Sequence, residues 1–207
     1  MATMIRSVIF DVGNVFVRWS PSEVIRRSFD LEPESEENLR RAEAIFRSPV
    51  WRNLNLGQLT QAEAEAAYQK QLGLTNDQTA KLFFHVMDHQ EQIAGTEEIA
   101  RRLIQADLRV FGLTDNVHEI VAHLKSRYRF WEVFEGAIVS AEVGLIKPHE
   151  TIFRHAVETY GLVASETVFF DDVQANVDGA RSIGMEARLF TTANRCEQDL
   201  RALGLSF

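Results

Sequence analysis

The stretch Ser7-Val8-Ile9-Phe10-Asp11-Val12-Gly13-Asn14-Val15 decides the fold of this chain. Its apolar half ends abruptly in a carboxylate, and Gly13 and Asn14, which readily adopt tight backbone conformations, follow. A short apolar run bounded by turn residues predicts a buried strand. In an open parallel sheet the chemistry lies just beyond the carboxyl ends of the strands, which is where Asp11 stands. A solvated loop Asp is the simpler interpretation unless other strand-end polar groups converge on Asp11.

Length and composition indicate one folded unit with room for a small insertion. The chain has 207 residues, which fits one core domain plus an inserted cap. Hydrophobic residues make up 45% and charged residues 25%, as in ordinary soluble globular proteins. The net charge is −8 and no run of Lys or Arg stands out, so neither nucleic acid nor an anionic membrane is expected as a partner. An anionic substrate would need local positive charge or a metal ion.

The cellular location expected from the sequence is the cytoplasm. The segment Met1 to Arg6 is too short and polar for a signal peptide, and no run is long enough to span a bilayer. Cys196 is the only cysteine, which excludes an internal disulfide. Its helical spacing with Leu200 and Leu203 predicts a thiol packed in the core.

Residues from about 20 to 92 carry helical patterns and no convincing strand. Capping-box pairs open three of the four predicted helices, and Ser48-Pro49 is predicted to end another. The predicted helices run from the Ser20–Glu23 pair to about Phe29, from about Asn38 to Phe46, from the Thr60–Glu63 pair to about Leu72, and from the Thr75–Gln78 pair to about His89.

From Ile93 onward, strands alternate with amphipathic helices, the first of which we expect Thr96 to cap. The strand candidates after Ser7–Phe10 are Leu108–Leu113, Ala137–Ser140, Thr167–Phe170 and Glu186–Phe190. This order predicts an α/β fold, a Rossmann-like parallel sheet with helices on both faces. We therefore predict a core domain of residues 1–17 and 93–207, and a small all-helical cap domain of residues 18–92 inserted above the active-site edge of the sheet.

Polar side chains recur where the predicted strands end, and they include Asp11, Thr114, Lys147 and the pair Asp171-Asp172. Singly, each has a structural alternative as a helix cap or a surface-loop residue. In a parallel sheet all of them would meet at one edge, where Asp11 and Asp172 could hold Mg²⁺. A hydroxyl, a Lys and a helix N-terminus can hold phosphate oxygens, and a carboxylate can act as a covalent nucleophile. Together they predict phosphoryl transfer through an aspartyl-phosphate.

The ordered set of strand-end motifs resembles the four motifs of the haloacid dehalogenase superfamily. These are Phe10-Asp11-Val12-Gly13-Asn14-Val15, Thr114, Lys147-Pro148 and Phe170-Asp171-Asp172-Val173-Gln174-Ala175-Asn176. The helical insert is similar to that family's cap placed after the first motif. Within the superfamily, the Asp-x-Gly-Asn-Val opening most resembles the sugar-phosphate phosphatase branch, particularly the glucose-1-phosphate phosphatase type.

The resemblance implies a role for each motif residue. Asp11 would be the nucleophile and a Mg²⁺ ligand, and Thr114 would bind phosphate through its hydroxyl. Lys147 would hold both the phosphate and the Asp11 carboxylate. Asp172 and the main-chain carbonyl of Gly13 would complete the metal ligands. The implied partner is a small phosphorylated metabolite, and nothing in the sequence indicates an oligomeric state.

Gly13 is where the sequence departs from the family, which mostly has an acid–base Asp at this position. Acid–base help is worth about 10²–10⁴-fold in rate. Its loss is compatible with slow turnover, with a leaving group that needs little protonation, or with a proton from another residue. Asp115, where the family commonly has Asn, is a candidate, because a neighbouring phosphate would raise its pKa. The alternative is that Asp115 turns away and caps the next helix.

Residues of the predicted cap offer further candidates. His85 and His89 have metal-ligand spacing on a helix, but no third ligand is evident, so lining the substrate pocket or simple packing is favoured over a second metal site. Arg18 and Trp19 directly follow the first motif and could touch substrate, with hinge packing slightly favoured.

Two rival functions remain open at this point. A 2-haloacid dehalogenase needs no general acid, so Gly13 is compatible with it, but that branch works without metal and lacks the paired carboxylates. A phosphate-binding relative without activity is supported by Gly13 alone, since Asp11, Lys147 and Asp172 are all present. The predicted function is therefore a Mg²⁺-dependent phosphatase.

Overall fold

A computed structural model describes residues 4–207, and in that range the chain forms a five-stranded parallel sheet. The strands are β1 (Ser7–Phe10), β2 (Arg109–Thr114), β3 (Gly136–Val139), β4 (Thr167–Asp171) and β5 (Glu186–Leu189). Their spatial order is β3-β2-β1-β4-β5, so β1 lies at the centre of the sheet. The predicted Rossmann-like α/β fold is confirmed, with strand limits that differ from the predicted ones by about one residue.

Helices cover both faces of the sheet. Consecutive residues of a strand point to opposite faces, and β1 follows this rule: Val8 and Phe10 belong to one buried apolar cluster and Ile9 to another. The helices are α1 (Pro21–Phe29), α2 (Glu36–Phe46), α3 (Pro49–Asn55), α4 (Gln61–Leu72), α5 (Asn76–Asp88), α6 (Thr96–Gln105), α7 (His118–Arg127), α8 (Ser140–Val143), α9 (Glu150–Tyr160), α10 (Gln174–Ser182) and α11 (Ala193–Ala202). Short 3₁₀ turns lie at Arg129–Val133 and Ala164–Glu166.

The helices α1–α5 all lie between β1 and β2 in the chain. The backbone bonds from Arg18 N–H to the Glu91 carbonyl, 2.8 Å, and from Ile93 N–H to the Phe16 carbonyl, 2.7 Å, tie together the two segments that leave and re-enter the sheet. The division into a core of residues 1–17 and 93–207 and a cap of residues 18–92 stays a prediction.

The insert contains five helices within residues 20–92, all of which the structure describes, whereas the sequence predicted four. The missed helix is α3. Ser48-Pro49 follows the end of α2 at Phe46, as predicted, and it also begins α3, which was not predicted. Ser48 accepts a hydrogen bond from Trp51 N–H, and Pro49 occupies the first helical position. A proline is tolerated there because the first N–H groups of a helix have no intrahelical acceptor. The capping boxes of α4 and α5 form in both directions.

Two smaller predictions are wrong. Gly95, not Thr96, is the N-cap of α6, and the Thr96 hydroxyl donates to the Val15 carbonyl at 2.7 Å. Ser140, predicted as a strand end, begins α8. In both cases a long-range hydrogen bond uses the side chain, which local patterning does not reveal.

Cys196 is buried, and burial raises the pKa of its thiol, which confirms a thiol packed in the core. None of the helices in residues 4–207 is both long and apolar enough to cross a membrane. The expectation drawn from Met1 to Arg6 falls partly on residues 1–3, which lie outside the described residues.

Candidate active site

The loop after β1 wraps tightly around the carboxyl end of the sheet. Asp11 N–H donates to the Phe170 carbonyl of β4 at 2.9 Å, which continues the ladder beyond Phe10. Asn14 has a positive φ of 52°, a conformation that Asn tolerates better than most residues. Its side chain accepts from Trp19 N–H at 2.8 Å and donates to Oδ2 of Asp172 at 2.9 Å. Asn14 therefore joins the first and fourth motifs.

Three carboxylates converge at this edge of the sheet. Asp11, Asp171 and Asp172 each offer an oxygen, and these atoms lie within 4.8 Å of one another. Asp11 and Asp171 are buried, whereas Asp172 is half-buried. The burial of Asp11 and the convergence of the three carboxylates exclude the simpler interpretation of Asp11 as a solvated loop residue.

The ammonium group of Lys147 lies between two of these carboxylates. Its Nζ is 2.9 Å from Oδ1 of Asp11 and 2.7 Å from Oδ2 of Asp171, and it also donates to the Leu113 carbonyl at 3.3 Å. The side chain of Lys147 is only 1% exposed, so this surface-loop candidate is in fact a buried charge. Because buried charges are stable only when paired, the position of Lys147 depends on both carboxylates.

Asp171 and Asp172 have different environments although they are neighbours in the chain. Both oxygens of Asp171 are occupied: Oδ1 accepts from Val173 N–H at 2.8 Å, Oδ2 accepts from Lys147, and Asn176 Nδ2 donates to both, at 3.0 and 3.1 Å. Asp172 accepts a side-chain hydrogen bond from Asn14 and keeps an exposed face. Asp171 thus positions Lys147, and Asp172 is the one free to take a ligand.

The charges of the site fit a divalent cation. When ionised, the three carboxylates carry two more charges than Lys147 neutralises. The ion pair of Asp11 with Lys147 is not aligned as a hydrogen bond, and Oδ1 of Asp11 has no hydrogen-bond partner within residues 4–207. Hard cations such as Mg²⁺ take carboxylate and carbonyl oxygens as ligands, which is the donor set present here.

Burial and the charges of neighbouring groups shift the pKa values of this cluster. Burial raises the pKa of Asp11 to about 8, with a further increase from the Asp171 charge and an opposing effect of Lys147. For Lys147, burial works to lower the pKa, but the carboxylates of Asp11, Asp171 and Asp115 outweigh it and raise that pKa above its ordinary range. The site therefore keeps the Lys147 ammonium charged and favours additional positive charge beside Asp11.

The end of β2 supplies Thr114 and Asp115. Thr114 is the last residue of the strand and is buried, and its hydroxyl makes no hydrogen bond within the described range 4–207. Oδ1 of Asp115 accepts from the backbone N–H of Lys147 at 3.1 Å, so it holds the Lys147 loop. Burial raises the pKa of Asp115 to about 6. Asp115 does not cap α7: the N-cap of that helix is Val117, without a side-chain cap bond.

A cavity of about 350 Å³ opens above these groups. All six residues that the sequence singled out for catalysis or binding line it, namely Asp11, Gly13, Thr114, Asp115, Lys147 and Asp172. The other lining residues are Asn14, Trp19, Phe46, Arg47, Ser48, Trp51, Arg52, Asn55, Gln90, Asn116, Ile120, Ile146, Val173 and Asn176. The roles of the six remain predictions, but their convergence on one space is a feature of the fold.

The candidate residues of the predicted cap differ in whether they line the cavity or only pack against other side chains. Trp19 lines the cavity and also packs against other aromatic rings, whereas Arg18 is exposed and is not among the lining residues in the part of the chain described. His85 lies in α5 and His89 is the C-cap of that helix, and neither lines the cavity within that part of the chain. Burial and the nearby Arg27 lower the pKa of both histidines. Packing is therefore the interpretation that fits the pair.

Sequence reasoning missed several residues that shape the site. Asn176, which binds Asp171, stood in the quoted fourth motif without a role, and Asn14 likewise stood in the first. Trp51 and Arg52 went unnoticed because they belong to α3, the helix that was not predicted. The capping signal of Ser48-Pro49 was the one local clue to them.

The family of the chain follows from a profile comparison. The profile of the haloacid dehalogenase-like hydrolases matches residues 5–184, most of the chain. The chain belongs to the haloacid dehalogenase-like hydrolase family. This membership makes the protein a hydrolase. It confirms the superfamily that the sequence motifs predicted, but not specifically the glucose-1-phosphate phosphatase type.

Known relatives of this hydrolase cover nearly its full length. A sesquiterpene phosphatase of Aspergillus oryzae is 24% identical over 203 residues, 98% of each chain. The solved structure of a predicted HAD-like hydrolase from Porphyromonas gingivalis has a TM-score of 0.79 at 23% identity and covers 98% of this chain and 100% of that one. A HAD family enzyme from Bacteroides thetaiotaomicron, solved with magnesium and inorganic phosphate, has a TM-score of 0.75 at 18% identity, covering 91% and 95%.

The fold is also shared with a dehalogenase. The L-2-haloacid dehalogenase of Xanthobacter autotrophicus, solved with chloropropionic acid covalently bound, has a TM-score of 0.66 at 15% identity and covers 96% of this chain and 83% of that one. Such identities establish the fold alone, so the choice between the two reactions rests on the site.

Proposed function

We propose that this hydrolase is a Mg²⁺-dependent phosphatase that cleaves a small phosphomonoester through an aspartyl-phosphate on Asp11. The observation that carries the proposal is the buried Asp11–Lys147–Asp171 arrangement, with the half-buried Asp172 beside it at the floor of a cavity. The phosphatase activity of the A. oryzae relative and the magnesium and phosphate bound by the B. thetaiotaomicron enzyme support it.

The covalent step would begin with the Asp11 carboxylate. One of its oxygens bonds to phosphorus while the bond from phosphorus to the alcohol oxygen breaks, and the alcohol takes up a proton. Water then attacks the phosphorus of the acyl phosphate, which releases inorganic phosphate and restores the carboxylate. The attack requires ionised Asp11. Burial opposes that form and raises the pKa of Asp11 to about 8, whereas the Lys147 ammonium 2.9 Å away and a bound Mg²⁺ would favour it.

The remaining residues would bind and orient the phosphoryl group. The three N–H donors of Lys147 are directed at Asp11, Asp171 and the Leu113 carbonyl, so the ammonium would attract the phosphoryl group by its charge at the cavity floor. The Thr114 hydroxyl is uncommitted within the residues described and can donate to a phosphoryl oxygen. Asp11, Asp172 and the Gly13 carbonyl would hold Mg²⁺, which when bound screens the repulsion between the nucleophile and the anionic phosphoryl group.

The proton for the leaving group has one candidate source on the cavity wall. Asp115 lines the cavity, is partly exposed to it, and has a pKa raised by burial to about 6. A carboxyl group with such a pKa is present in both protonation states near neutral pH, as a general acid and base must be. We propose that Asp115 performs the role that the side chain missing at Gly13 performs in other phosphatases.

The proposed substrate is a small phosphorylated metabolite. The resemblance of the first motif to sugar-phosphate phosphatases puts sugar phosphates among the candidates. The A. oryzae relative instead has a sesquiterpene as its named substrate class.

Dehalogenation of a 2-haloacid is the second candidate, favoured by Gly13 and by the shared fold with the X. autotrophicus enzyme. A halide leaving group needs no proton, so a dehalogenase would not need the acid–base side chain that is missing at Gly13. The three converging carboxylates argue against it, because Lys147 balances only one of their charges and the remaining negative charge would repel an anionic haloacid.

A phosphate-release assay with and without metal tests the proposal. The purified protein is incubated with p-nitrophenyl phosphate or acetyl phosphate and MgCl₂, then with excess EDTA. We expect Mg²⁺-dependent release that Asp11→Asn lowers by on the order of 10³-fold or more. Asp178→Asn is the matched control, because Asp178 is an exposed carboxylate of α10 outside the cavity lining within the described chain.

Other outcomes separate the rivals. Chloride release from 2-chloropropionate that survives EDTA would establish the dehalogenase. No turnover of any substrate, together with no stable complex with BeF₃⁻ and Mg²⁺, would indicate a phosphate-binding relative without activity.

A further inference from the structure

Three aromatic side chains form one wall of the cavity above the carboxylates, and we refer to Trp19, Phe46 and Trp51 as the aromatic wall. The ring centroids of Trp19 and Trp51 lie 5.8 Å apart, with planes that differ by only 6°. Phe46 meets both rings edge-on, at 5.3 Å from Trp19 and 4.8 Å from Trp51. These are the separations at which aromatic rings attract each other, so the wall is a packed unit.

The aromatic wall is only half-buried, although its rings are among the largest apolar groups of the chain. Each of its side chains lines the cavity, so the apolar surface that remains uncovered faces the space above Asp11. Ile120, Ile146 and Val173 add aliphatic side chains to the same lining. Apolar surface left open in a concave site is stabilised when a ligand covers it.

Three uncharged polar side chains of the lining, those of Ser48, Asn55 and Gln90, are engaged within the protein. The Ser48 hydroxyl donates to the Ile45 carbonyl at 2.7 Å and accepts from Trp51 N–H at 3.1 Å. The side-chain amides of Asn55 and Gln90 each donate to a backbone carbonyl four residues earlier, at 2.9 Å. A sugar carries several hydroxyl groups that must be hydrogen-bonded when buried, and these three side chains already use hydrogen bonds within the protein. The other donors on this side of the lining are the guanidinium groups of Arg47 and Arg52, which are both exposed to solvent.

Resting on the proposed function, we infer that the substrate is the phosphomonoester of an apolar alcohol, whose hydrocarbon body packs on the aromatic wall while its phosphate reaches Asp11. The volume of about 350 Å³ is at the lower end of ligand cavities, which span roughly 300–1,000 Å³. Trp19 and Trp51 are thereby specificity-determining residues, in a site whose floor is charged and whose wall is apolar.

The aromatic wall is held in place by hydrogen bonds to the core of the protein. The hydroxyl of Ser140, the first residue of α8, donates to the Asn55 carbonyl at the end of α3, at 2.6 Å, and accepts from Asn116 N–H at 2.9 Å. On the other side, Trp19 N–H is bound by the Asn14 side chain. A wall preorganised in this way binds an apolar body without first having to order itself.

A series of alkyl phosphates tests the inference. Phosphate release is measured with MgCl₂ for ethyl, butyl and octyl phosphate, and for glucose 1-phosphate and glucose 6-phosphate. One methylene in an apolar pocket is worth about 10- to 200-fold in kcat/KM, so we expect octyl phosphate to exceed ethyl phosphate by at least about tenfold. Both sugar phosphates are expected to fall below octyl phosphate by a similar factor.

Variants of the wall localise the effect. Trp51→Ala is expected to remove most of the gain from ethyl to octyl phosphate, and Trp51→Phe to keep part of it. Phe84→Ala is the control, since Phe84 is an aromatic residue of α5 that is 58% exposed and is not among the lining residues in the described part of the chain. It should leave the series unchanged.

If Trp51→Ala does not fold, a binding measurement with ligands that are not hydrolysed tests the inference instead. Quenching of tryptophan fluorescence in the Asp11→Asn protein is titrated with octylphosphonate and with methylphosphonate. Tighter binding of octylphosphonate, by about tenfold or more on the same reasoning, supports the inference. Equal affinities would overturn it.

Acetyl phosphate separates this inference from the proposed function, because its leaving group is too short to cover the aromatic wall. Asp11-dependent release from acetyl phosphate, combined with sugar phosphates cleaved as well as octyl phosphate, would overturn the inference and leave the phosphatase standing. No release from any of these esters, acetyl phosphate included, would overturn both.

Discussion

Nζ of Lys147 lies 2.7 Å from Oδ2 of Asp171, and neither side chain has more than 1% of its surface exposed. We therefore predict that Asp171→Asn destabilises the protein, because it leaves a buried ammonium with Asp11 as its remaining close carboxylate. Breaking a buried ion pair costs about 3–5 kcal/mol, and the second partner places the expected loss near the lower end. Urea unfolding at pH 7 measures it.

The neighbouring substitution Asp172→Asn serves as the contrast. Asp172 is half-buried, and its removal relieves repulsion with Asp11 and Asp171. We expect the free energy of unfolding to be unchanged or raised, while the Mg²⁺ concentration needed for half-maximal activity rises by about 10- to 100-fold, as for metal-site changes generally. Equal effects of both substitutions on stability and on Mg²⁺ dependence would contradict the separate roles.

Asp115→Asn is predicted to change the pH dependence of kcat/KM. With a pKa of about 6, Asp115 is protonated below that pH and can donate to the leaving alcohol, and above it the donor is lost. The wild-type kcat/KM for an alkyl phosphate should therefore fall as pH rises through about 6. In Asp115→Asn this inflection should vanish and the rate should drop by about 10²–10⁴-fold.

The Asn variant retains an oxygen that can accept from Lys147 N–H, so the Lys147 loop should stay in place. Acetyl phosphate, whose leaving group needs little protonation, is the internal control and should be much less affected. A pH profile identical to that of the wild type would show that Asp115 does not transfer the proton.

Gly13→Asp is predicted to raise activity. A Cβ built at Gly13 meets Cβ of Trp19 at 3.8 Å as its nearest contact among the described residues, so a Cβ is accommodated there. In the Asp115→Asn protein, which lacks its proposed acid–base group, we expect Gly13→Asp to raise kcat for alkyl phosphates by on the order of 10²-fold, since acid–base help typically supplies about 10²–10⁴-fold. Gly13→Asn has the same size and no titratable proton, and a gain of equal size there would refute the acid–base explanation.

Gly57→Ala is predicted to loosen the packing of α3 on the core. Gly57 has a φ of +67°, and a Cβ there would lie 2.2 Å from the Ala141 carbonyl oxygen. Gly73 has the same φ with nothing within 4 Å in the part of the chain described, so Gly73→Ala measures the backbone strain alone. We expect Gly57→Ala to lower the free energy of unfolding by at least about 1 kcal/mol more than Gly73→Ala, because overpacking typically costs 1–3 kcal/mol.

Chemical unfolding of both variants measures that difference. Because α3 carries Trp51, the alkyl phosphate series should also flatten in Gly57→Ala and not in Gly73→Ala. Equal losses of stability would show that the turn at Gly57 accommodates a methyl group against Ala141.

The fold was predictable because its signals are local. The run Ser7–Phe10 is buried throughout and is apolar from Val8 onward, and the capping boxes at Thr60 and Thr75 form as their sequence spacing indicates. The insert was less predictable, since the Ser48-Pro49 pair has two meanings. A proline can end one helix and begin another, and here the pair does both, because α2 ends at Phe46 and α3 begins at Pro49.

By itself, the sequence determined the parallel sheet, the edge at which the polar strand ends meet, and the family, because strand order and motif spacing place Asp11, Thr114, Lys147 and Asp172 at one edge. Only the tertiary structure decided which carboxylate faces which partner. Asp171 and Asp172 are indistinguishable in the chain, but Asp171 is the last residue of β4 and is buried against Lys147, whereas Asp172 follows the strand and stays half-buried at the cavity. The tertiary structure also decided that the aromatic wall forms. Trp19 and Trp51 stack only once two separate segments of the insert pack together, a contact that no local pattern encodes.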